Sequence, residues 1–309
     1  MIATVTVNPA VDYSLKAEEI KLGQVNRVDF LAKSAAGKGI NVAKAIKNLD
    51  QDPRALGCIG GAVGQYIVEQ LEKKGIATDF NWVANETRIN FKVLDDAKQE
   101  TKINQHGFPL SQNELDEIFS KIISWADESE IIVLGGSLPE KAPADFYQKI
   151  IANLKKTDTK VFLDTSEKPL QLALQASPTL IKPNWRELEE IQGQKLSFEE
   201  LISVSQDIVT TGVEIVVVSL GAEGALLVTE EEVWHAKPPQ VDVVSTVGAG
   251  DSMVGALAVS YTKEYSAKKM LQYAVAMSVA TILLPGSEVG TSAEVKKWME
   301  EVEVKQVEG

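Results

Sequence analysis

The sequence is poor in the residues on which several large functional classes depend. It contains one cysteine, Cys58, and two histidines, His106 and His235. A single cysteine excludes an internal disulfide and a thiolate metal cluster and suits a reducing compartment, so we expect a cytoplasmic protein. Two histidines make a His-rich metal site or a Ser-His-Asp hydrolase difficult to assemble. Acid–base chemistry must therefore fall to carboxylates.

Long apolar runs and an excess of positive charge are also missing. No run approaches the roughly 18 apolar residues of a membrane helix, and residues 1–8 lack the basic region of a signal peptide, so neither membrane association nor export is expected. The formal net charge of −13 opposes nucleic-acid binding, which lysine and arginine drive. An anionic substrate must therefore be held by a few local cations or by backbone N–H groups.

The alternation of short β-branched runs with longer stretches of helical period predicts the fold. It is typical of a doubly wound α/β domain whose mostly parallel sheet has helices on both faces. With 309 residues, of which 44% are hydrophobic, one domain over residues 1–309 is expected. The predicted strands are 2–7, 54–59, 131–134, 160–164, 179–182 and 214–219, and the predicted helices include 64–74, 114–125, 146–155 and 198–209. The charged carboxyl end, 300–309, is expected to be frayed.

Two segments, residues 12–34 and 87–105, interrupt this alternation. Within the second, polar and apolar residues alternate at the period of a strand. We predict that both segments form a small, separate antiparallel sheet with one apolar face, which must cover something. The sheet is expected to act as a lid over a cleft, or to contact the same sheet of a second copy in a homodimer.

The strongest local signal is the glycine-rich segment at residues 245–252, Ser-Thr-Val-Gly-Ala-Gly-Asp-Ser, which precedes a helical pattern. Backbone N–H groups at the positive end of a helix dipole can bind a phosphate without a basic side chain. Asp251, in the first helical turn, would bring a carboxylate close to that phosphate, as a general base in phosphoryl transfer requires. Taken alone, the segment is equally compatible with an ordinary helix start.

A second glycine-rich segment, residues 36–43, reads Ala-Gly-Lys-Gly-Ile-Asn-Val-Ala. It is not a P-loop, because Ala32 stands where the first glycine belongs and Gly39 replaces the magnesium-binding hydroxyl. It is not a dinucleotide fingerprint either, because Val42 replaces the third glycine and the next strand supplies no acidic ribose ligand. A nicotinamide-dependent dehydrogenase is therefore disfavoured.

Both segments resemble signatures of the phosphofructokinase B branch of the ribokinase-like sugar kinases, and the resemblance extends over nearly the whole chain. The family's closing signature is Gly-Ala-Gly-Asp preceded by Asp-Thr or Ser-Thr, and Ser245 here matches the sugar-phosphate branch. In the amino-terminal signature, Ala36 replaces a common glycine. The resemblance implies a ribokinase-like kinase that uses ATP and Mg²⁺. It makes Asp251 the base, with an anion hole formed by the backbone N–H groups of Gly248, Ala249 and Gly250.

The resemblance also implies a sugar-binding site. Its residues are Asp12, Gly37, Lys38, Gly39, Asn41, Arg88, Asn90 and Ser137. Asp12 follows the first strand at the edge where open α/β sheets bind ligands, although an aspartate after a proline is also common in turns. The guanidinium of Arg88 suits the substrate's existing phosphate, with Arg27, Lys38 and Lys102 as weaker candidates. Ser137, in a Gly-Ser-Leu-Pro loop, would reach that phosphate or simply belong to a turn.

The family's Asn-x-x-Glu element matches the segment from Lys182 to Glu187. Asn184 and Glu187, predicted to share one helical face, can organise the hydration shell of Mg²⁺, while Lys182 meets a nucleotide phosphate. Alone, Pro-Asn before a helix indicates a cap. By resemblance, Ser219, Gly221 and Gly224 complete the ATP site, with residues 274–290 flanking the adenine.

For the substrate, the resemblance favours fructose 1-phosphate, converted to fructose 1,6-bisphosphate. Residues 87–90 and 100–104, together with the intact 245–251 segment, look closer to the group that acts on this sugar. Tagatose 6-phosphate and fructose 6-phosphate are the alternatives. A non-catalytic sugar-phosphate sensor is disfavoured, because binding alone does not require the intact Asp251, Asn184 and Glu187.

Overall fold

The structure is a computed structural model that describes residues 1–307 of the chain. Its strands are β1 Ile2–Thr6, β2 Ala10–Lys16, β3 Asp29–Ala36, β4 Pro53–Ile59, β5 Ala77–Trp82, β6 Arg88–Leu94, β7 Glu100–Asn104, β8 Ile131–Gly135, β9 Lys160–Asp164, β10 Leu180–Ile181, β11 Ile215–Ser219, β12 Ala225–Val228, β13 Val233–Lys237 and β14 Glu303–Gln306. Its α-helices are α1 Lys38–Asn48, α2 Gly61–Lys73, α3 Gln112–Ser124, α4 Phe146–Leu154, α5 Glu167–Leu174, α6 Trp185–Gln192, α7 Phe198–Thr210, α8 Ala249–Thr262, α9 Ala267–Ile282 and α10 Ser292–Met299. Over these residues no helix combines the length and the apolar character that crossing a membrane demands.

A ten-stranded sheet forms the centre of the molecule, in the order β14-β13-β12-β11-β10-β9-β8-β1-β4-β5. The strands from β11 to β5 are parallel, and β12, β13 and β14 extend the sheet in antiparallel pairs. Consecutive residues of β8 enter opposite cores, Ile132 on the face covered by α3, α4 and α7, and Val133 on the face covered by α1, α8 and α9. Burial on both faces explains why such strands are apolar without interruption. The predicted doubly wound α/β fold is confirmed.

The six predicted strands are all present, but the edge of the large sheet contains strands that were not predicted. The expectation of a frayed carboxyl end was wrong for β14, which pairs with β13 from Trp234 opposite Gln306 to Lys237 opposite Glu303. Val302 is buried and Val304 packs on the core, so two apolar residues at strand period hold an otherwise charged segment on the sheet. Residues 308 and 309 lie outside the described part of the chain.

A separate four-stranded sheet, in the order β3-β2-β6-β7, arises from the two segments in which it was predicted. The purely antiparallel prediction was wrong, because β2 and β6 pair in parallel. Along the chain, β2 follows the carboxyl end of β1, and β6 follows the carboxyl end of β5. Since β1 and β5 point the same way in the large sheet, β2 and β6 leave its carboxyl edge in the same direction. Val11 and Ala35 pack against α1 and α2, and the Tyr66 hydroxyl of α2 donates to the Lys33 carbonyl at 3.0 Å. These contacts fix the base of the small sheet against the main body.

Candidate active site

The residues predicted to carry chemistry lie at the carboxyl edge of the large sheet, between the starts of α1 and α8 and the small sheet. The glycine-rich segment begins α8 as predicted. Gly248 is its N-cap, with a φ of 81° that favours glycine, and the Ser252 N–H donates to the Gly248 carbonyl at 2.8 Å. The N–H groups of a first helical turn have no acceptor within the helix, so this turn can receive an anion.

Asp251 projects from that first turn towards α1. Its Oδ2 accepts a hydrogen bond from Asn41 Nδ2 at 2.8 Å. Burial and the nearby Asp164 carboxylate raise the pKa of Asp251, while the Asn41 hydrogen bond and the ammonium groups of Lys38 and Lys182 oppose that rise. A carboxylate with a raised pKa is a stronger proton acceptor.

Two lysines share one buried carboxylate beside Asp251. Asp164 is 1% exposed, and its Oδ1 lies 2.9 Å from Lys38 Nζ, while its Oδ2 lies 3.6 Å from Lys182 Nζ. Burial opposes ionisation of Asp164, but Lys182 and Lys38 hold its pKa below the ordinary value. The Lys182 ammonium is also 3.4 Å from the point that a Cβ on Gly250 would occupy. Two ammonium groups therefore lie beside the start of α8 in a strongly acidic protein.

Sequence reasoning assigned no role to Asp164. It ends β9 at the sheet edge where ligands bind, and a single carboxylate at the end of an apolar strand is the signal that could have identified it. Its Oδ2 is buried without a hydrogen-bond partner in the described residues, since the contact with Lys182 exceeds hydrogen-bond distance.

The polar face of the small sheet is built around Asp12. Asn90 stands directly opposite on β6 and donates from Nδ2 to Asp12 Oδ1 at 2.9 Å. Lys92 Nζ lies 2.8 Å from Asp12 Oδ2 and was not predicted as a site residue. Strand period could have identified it, because Arg88, Asn90 and Lys92 share one face of β6.

Arg88 lies where β6 begins, and its guanidinium donates to the backbone carbonyls of Asn8, Pro9 and Gln105 at 2.9–3.3 Å. An arginine has five N–H donors, so two remain for a ligand. Of the weaker cation candidates, Lys102 forms an exposed ion pair with Glu100, and Arg27 lies exposed between β2 and β3.

The start of α1 packs very closely on the end of β1. A Cβ at Gly37 would stand 2.6 Å from Thr6 Cγ2, and one at Gly39 would stand 2.4 Å from the Val5 carbonyl oxygen. These two glycines are therefore required by packing, whatever else they contact. Ser137 is exposed beyond β8, and its Oγ accepts from Asn8 Nδ2 at 3.3 Å, which places it beside the residues that hold Arg88.

A cavity of about 970 Å³ opens beside the start of α8, on the side away from α1. The predicted nucleotide-site residues Asn184, Ser219, Gly221 and Gly224 line it, together with Ala249, Gly250, Val275, Ser278, Val279 and Ile282. Residues 238–243 form a wall that sequence reasoning missed. The volume suits a ligand of nucleotide size. Lys182 adjoins Gly250 rather than lining this cavity.

The Asn-x-x-Glu element begins a helix, as the alternative prediction of a cap indicated. Asn184 is the N-cap of α6 and forms a capping box with Glu187. Asn184 Oδ1 accepts from the Glu187 N–H, and Glu187 Oε2 accepts from the Asn184 N–H, both at 2.8 Å. Burial tends to lower the pKa of Lys38, but the neighbouring carboxylates raise it above its ordinary value. Asp164 contributes most to this rise, and Glu187 adds a smaller part.

The carboxylates here suit a hydrated magnesium ion better than a closed metal cage. Among residues 1–307 no three His, Cys, Asp or Glu side chains are grouped for direct coordination. Asp164 Oδ2, which has no hydrogen-bond partner, and Glu187, whose charge acts on Lys38, are hard oxygen donors, and Mg²⁺ usually keeps several of its waters.

Comparison with known proteins identifies the family. The sequence profile described as pfkB family carbohydrate kinase matches residues 5–293. A 1-phosphofructokinase of Escherichia coli K12 is 38% identical over 94% of this chain and 92% of its own length. A 1-phosphofructokinase of Bacillus subtilis is 36% identical over 98% and 99% of the two chains. Among solved structures, phosphofructokinase-2 of Escherichia coli in complex with potassium is 30% identical, with a TM-score of 0.92 over 97% of this chain and 98% of that one. The chain therefore belongs to the pfkB family of carbohydrate kinases.

Proposed function

We propose that this protein transfers the γ-phosphoryl group of ATP to fructose 1-phosphate and so forms fructose 1,6-bisphosphate. The observation that carries the proposal is the position of Asp251, which extends from an anion-binding helix start between the large cavity and the small sheet. Relatives that are 36–38% identical over nearly the full length, and are named 1-phosphofructokinase, support this choice of substrate.

In this proposal the small sheet and α1 hold the sugar. Asp12, Asn90 and Asn41 bind its hydroxyl groups, while the backbone at Gly37, Lys38 and Gly39 lies beneath it. The existing phosphate takes the two free donors of Arg88 and the hydroxyl of Ser137, which adjoin through Asn8. The small sheet acts as a lid over the bound sugar.

The nucleotide occupies the cavity, with its phosphates at the start of α8. Oxygen of the accepting hydroxyl bonds to the γ-phosphorus as the bond from phosphorus to the ADP oxygen breaks, and Asp251 takes the hydroxyl proton. The N–H groups of Gly248, Ala249 and Gly250 and the Lys182 ammonium stabilise the charge on the transferred group. Asp164 and Glu187, with Asn184, would hold the water shell of Mg²⁺, which when bound would neutralise phosphate charge.

Two further features belong to the proposal. The reaction takes place in the cytoplasm, in keeping with one buried free cysteine, which cannot form an internal disulfide. Two copies of the chain associate through their small sheets.

The test is ADP release from ATP and Mg²⁺ by purified protein, in parallel with fructose 1-phosphate, fructose 6-phosphate, tagatose 6-phosphate and unphosphorylated fructose. We expect a clear preference for fructose 1-phosphate in kcat/KM. Preference for a 6-phosphate would support the kinase activity but would reverse the proposed orientation of the sugar in the site. Absence of turnover with all four would overturn the proposal and favour a sensor.

A further inference from the structure

The second lysine of α1, Lys44, lies behind the proposed base. Lys44 follows Asn41 by three positions on the same helix and is 7% exposed. Its Nζ donates to the backbone carbonyl of Ala35 and, at 3.3 Å, to Oδ1 of Asn41. Both acceptors are neutral. A buried ammonium held by neutral groups is costly for stability, so its presence beside the reaction site calls for a functional reason.

The side-chain amide of Asn41 can form its two hydrogen bonds in one orientation only. An ammonium group can only donate, so Asn41 must turn its Oδ1 towards Lys44. Its Nδ2 then points to Asp251, whose ionised carboxylate can only accept. If the amide were reversed, its oxygen would face the carboxylate oxygen and its NH₂ group would face the ammonium. Lys44 thereby selects the one amide orientation that supports Asp251.

We infer that Lys44 is a positioning residue for the phosphoryl transfer proposed above: it fixes the Asn41 amide, which holds Oδ2 of Asp251 and leaves the other carboxylate oxygen to take the proton. The inference rests on the proposed function, because it assigns Lys44 a part in the same reaction. Lys44 acts through Asn41 and does not contact the reacting atoms.

The inference predicts a particular loss of activity at alkaline pH. Burial and the charge of Lys74 lower the pKa of Lys44 to about 8, with Lys92 acting in the same direction and Asp12 and Asp251 opposing it. Below that pH the group is an ammonium, whereas above it the neutral amine gains a lone pair and can accept from the Asn41 NH₂. The amide orientation is then no longer imposed, so kcat should fall as the pH rises through about 8.

The first test compares Lys44→Met and Lys44→Arg with the wild-type chain. We expect Lys44→Met to lower kcat about 10- to 100-fold, as is usual when a residue that orients a reacting group is lost, with little change in KM for ATP. Lys44→Arg keeps a permanent cation and should retain most of kcat while moving the alkaline limb to higher pH. The matched control is Lys47→Met, which removes a half-buried lysine of the same helix, paired with Asp52, and should leave kcat and the pH profile unchanged.

A double-mutant cycle separates positioning from a merely structural role. If Lys44 acts through Asn41, then adding Lys44→Met to Asn41→Ala should cause no further loss of kcat. An additive loss, or a Lys44→Met enzyme with wild-type kcat, would overturn the inference. If Lys44→Met does not fold, the test rests on Lys44→Arg. An alkaline limb at the wild-type pH in that variant would equally overturn the inference. Failure of the wild-type chain to phosphorylate any sugar phosphate would instead overturn the proposed function.

Discussion

At Asp251 the needs of catalysis and of stability oppose each other. Burial and the Asp164 carboxylate raise the pKa of Asp251, so the folded protein disfavours the ionised form that a base requires. Because the folded pKa lies above the unfolded one, ionisation of Asp251 lowers the free energy of unfolding. This destabilisation begins as the pH rises through the unfolded pKa and is complete above the folded pKa.

Replacement of Asp251 should therefore separate activity from stability. We expect Asp251→Asn to abolish turnover, to retain substrate binding, and to raise the melting temperature at pH 7 but not below about pH 4, where the native carboxyl is protonated. Thermal unfolding at both pH values, calorimetric binding and ADP release are the measurements. Asp127→Asn, an exposed matched change, should alter none of them. Turnover at the wild-type rate in Asp251→Asn would remove this residue as the base.

Local pattern predicted some site residues and not others. The position of Asp251 in a first helical turn follows from a few adjacent residues, Gly-Ala-Gly-Asp, and could be predicted. The ion pair of Lys38 with Asp164 joins residues 126 positions apart, and the importance of Lys44 depends on its burial. Neither property has a local signature, so tertiary structure was needed to find them.

Among the secondary-structure elements, the start of α8 depends on the backbone of Gly248. A Cβ there would meet nothing within 4 Å, so Gly248→Ala strains the backbone alone, at about 1–2 kcal/mol for the left-handed conformation. Gly193, which ends α6 with a φ of 72° and equally free surroundings, is the matched control. We expect similar falls in melting temperature for Gly248→Ala and Gly193→Ala, but a lower kcat only for the first. Equal kcat values would show that the N–H groups of this turn do not serve the reaction.

The start of α6 allows the charge of Glu187 to be tested apart from its structural role. A capping box accepts Glu or Gln at its last position, so Glu187→Gln should keep the hydrogen bond to Asn184 and the melting temperature. We expect it to raise the Mg²⁺ concentration needed for half-maximal activity, because one anionic oxygen donor is lost. Glu294→Gln, in the same capping-box position of α10, is the control. Unchanged magnesium dependence would limit Glu187 to capping.

The elements themselves were predictable to different degrees. Parallel strands buried on both faces are apolar throughout, so the strands at the centre of the large sheet could be predicted from the sequence. The edge strands β12 to β14 follow one another in antiparallel pairs, and β14 has only Val304 to distinguish it from a charged tail. At Asn184 the local pattern indicated the cap that the structure contains, whereas the family resemblance pointed to magnesium.

At the scale of the whole molecule, the small sheet leaves an apolar face uncovered. The register places Tyr13, Phe91 and Ile103 side by side, on the face opposite Asp12 and Asn90. Ile103 is 57% exposed and Phe30, which packs on Tyr13, is 62% exposed. An apolar sheet face of this kind usually marks a contact between proteins.

We expect the wild-type chain to be a dimer in solution and the combined change Phe30→Asp and Ile103→Asp to give a monomer, as measured by analytical ultracentrifugation. Trp82→Gln, at an exposed apolar position of the large sheet, is the control and should leave the dimer intact. A wild-type monomer would contradict the prediction directly.

The division of the proposed site along the chain has an evolutionary consequence. The acceptor residues run from Asp12 to Ser137, whereas those that line the cavity run from Asn184 to Ile282. A single crossover between two related genes, anywhere between these stretches, would exchange one half of the site and leave the other intact. Side-chain hydrogen bonds join Asn41 to Asp251 and Lys38 to Asp164 across this division, so these matches are what such a hybrid must preserve. New sugar preferences can thus be inherited without any change in how the phosphate donor is held.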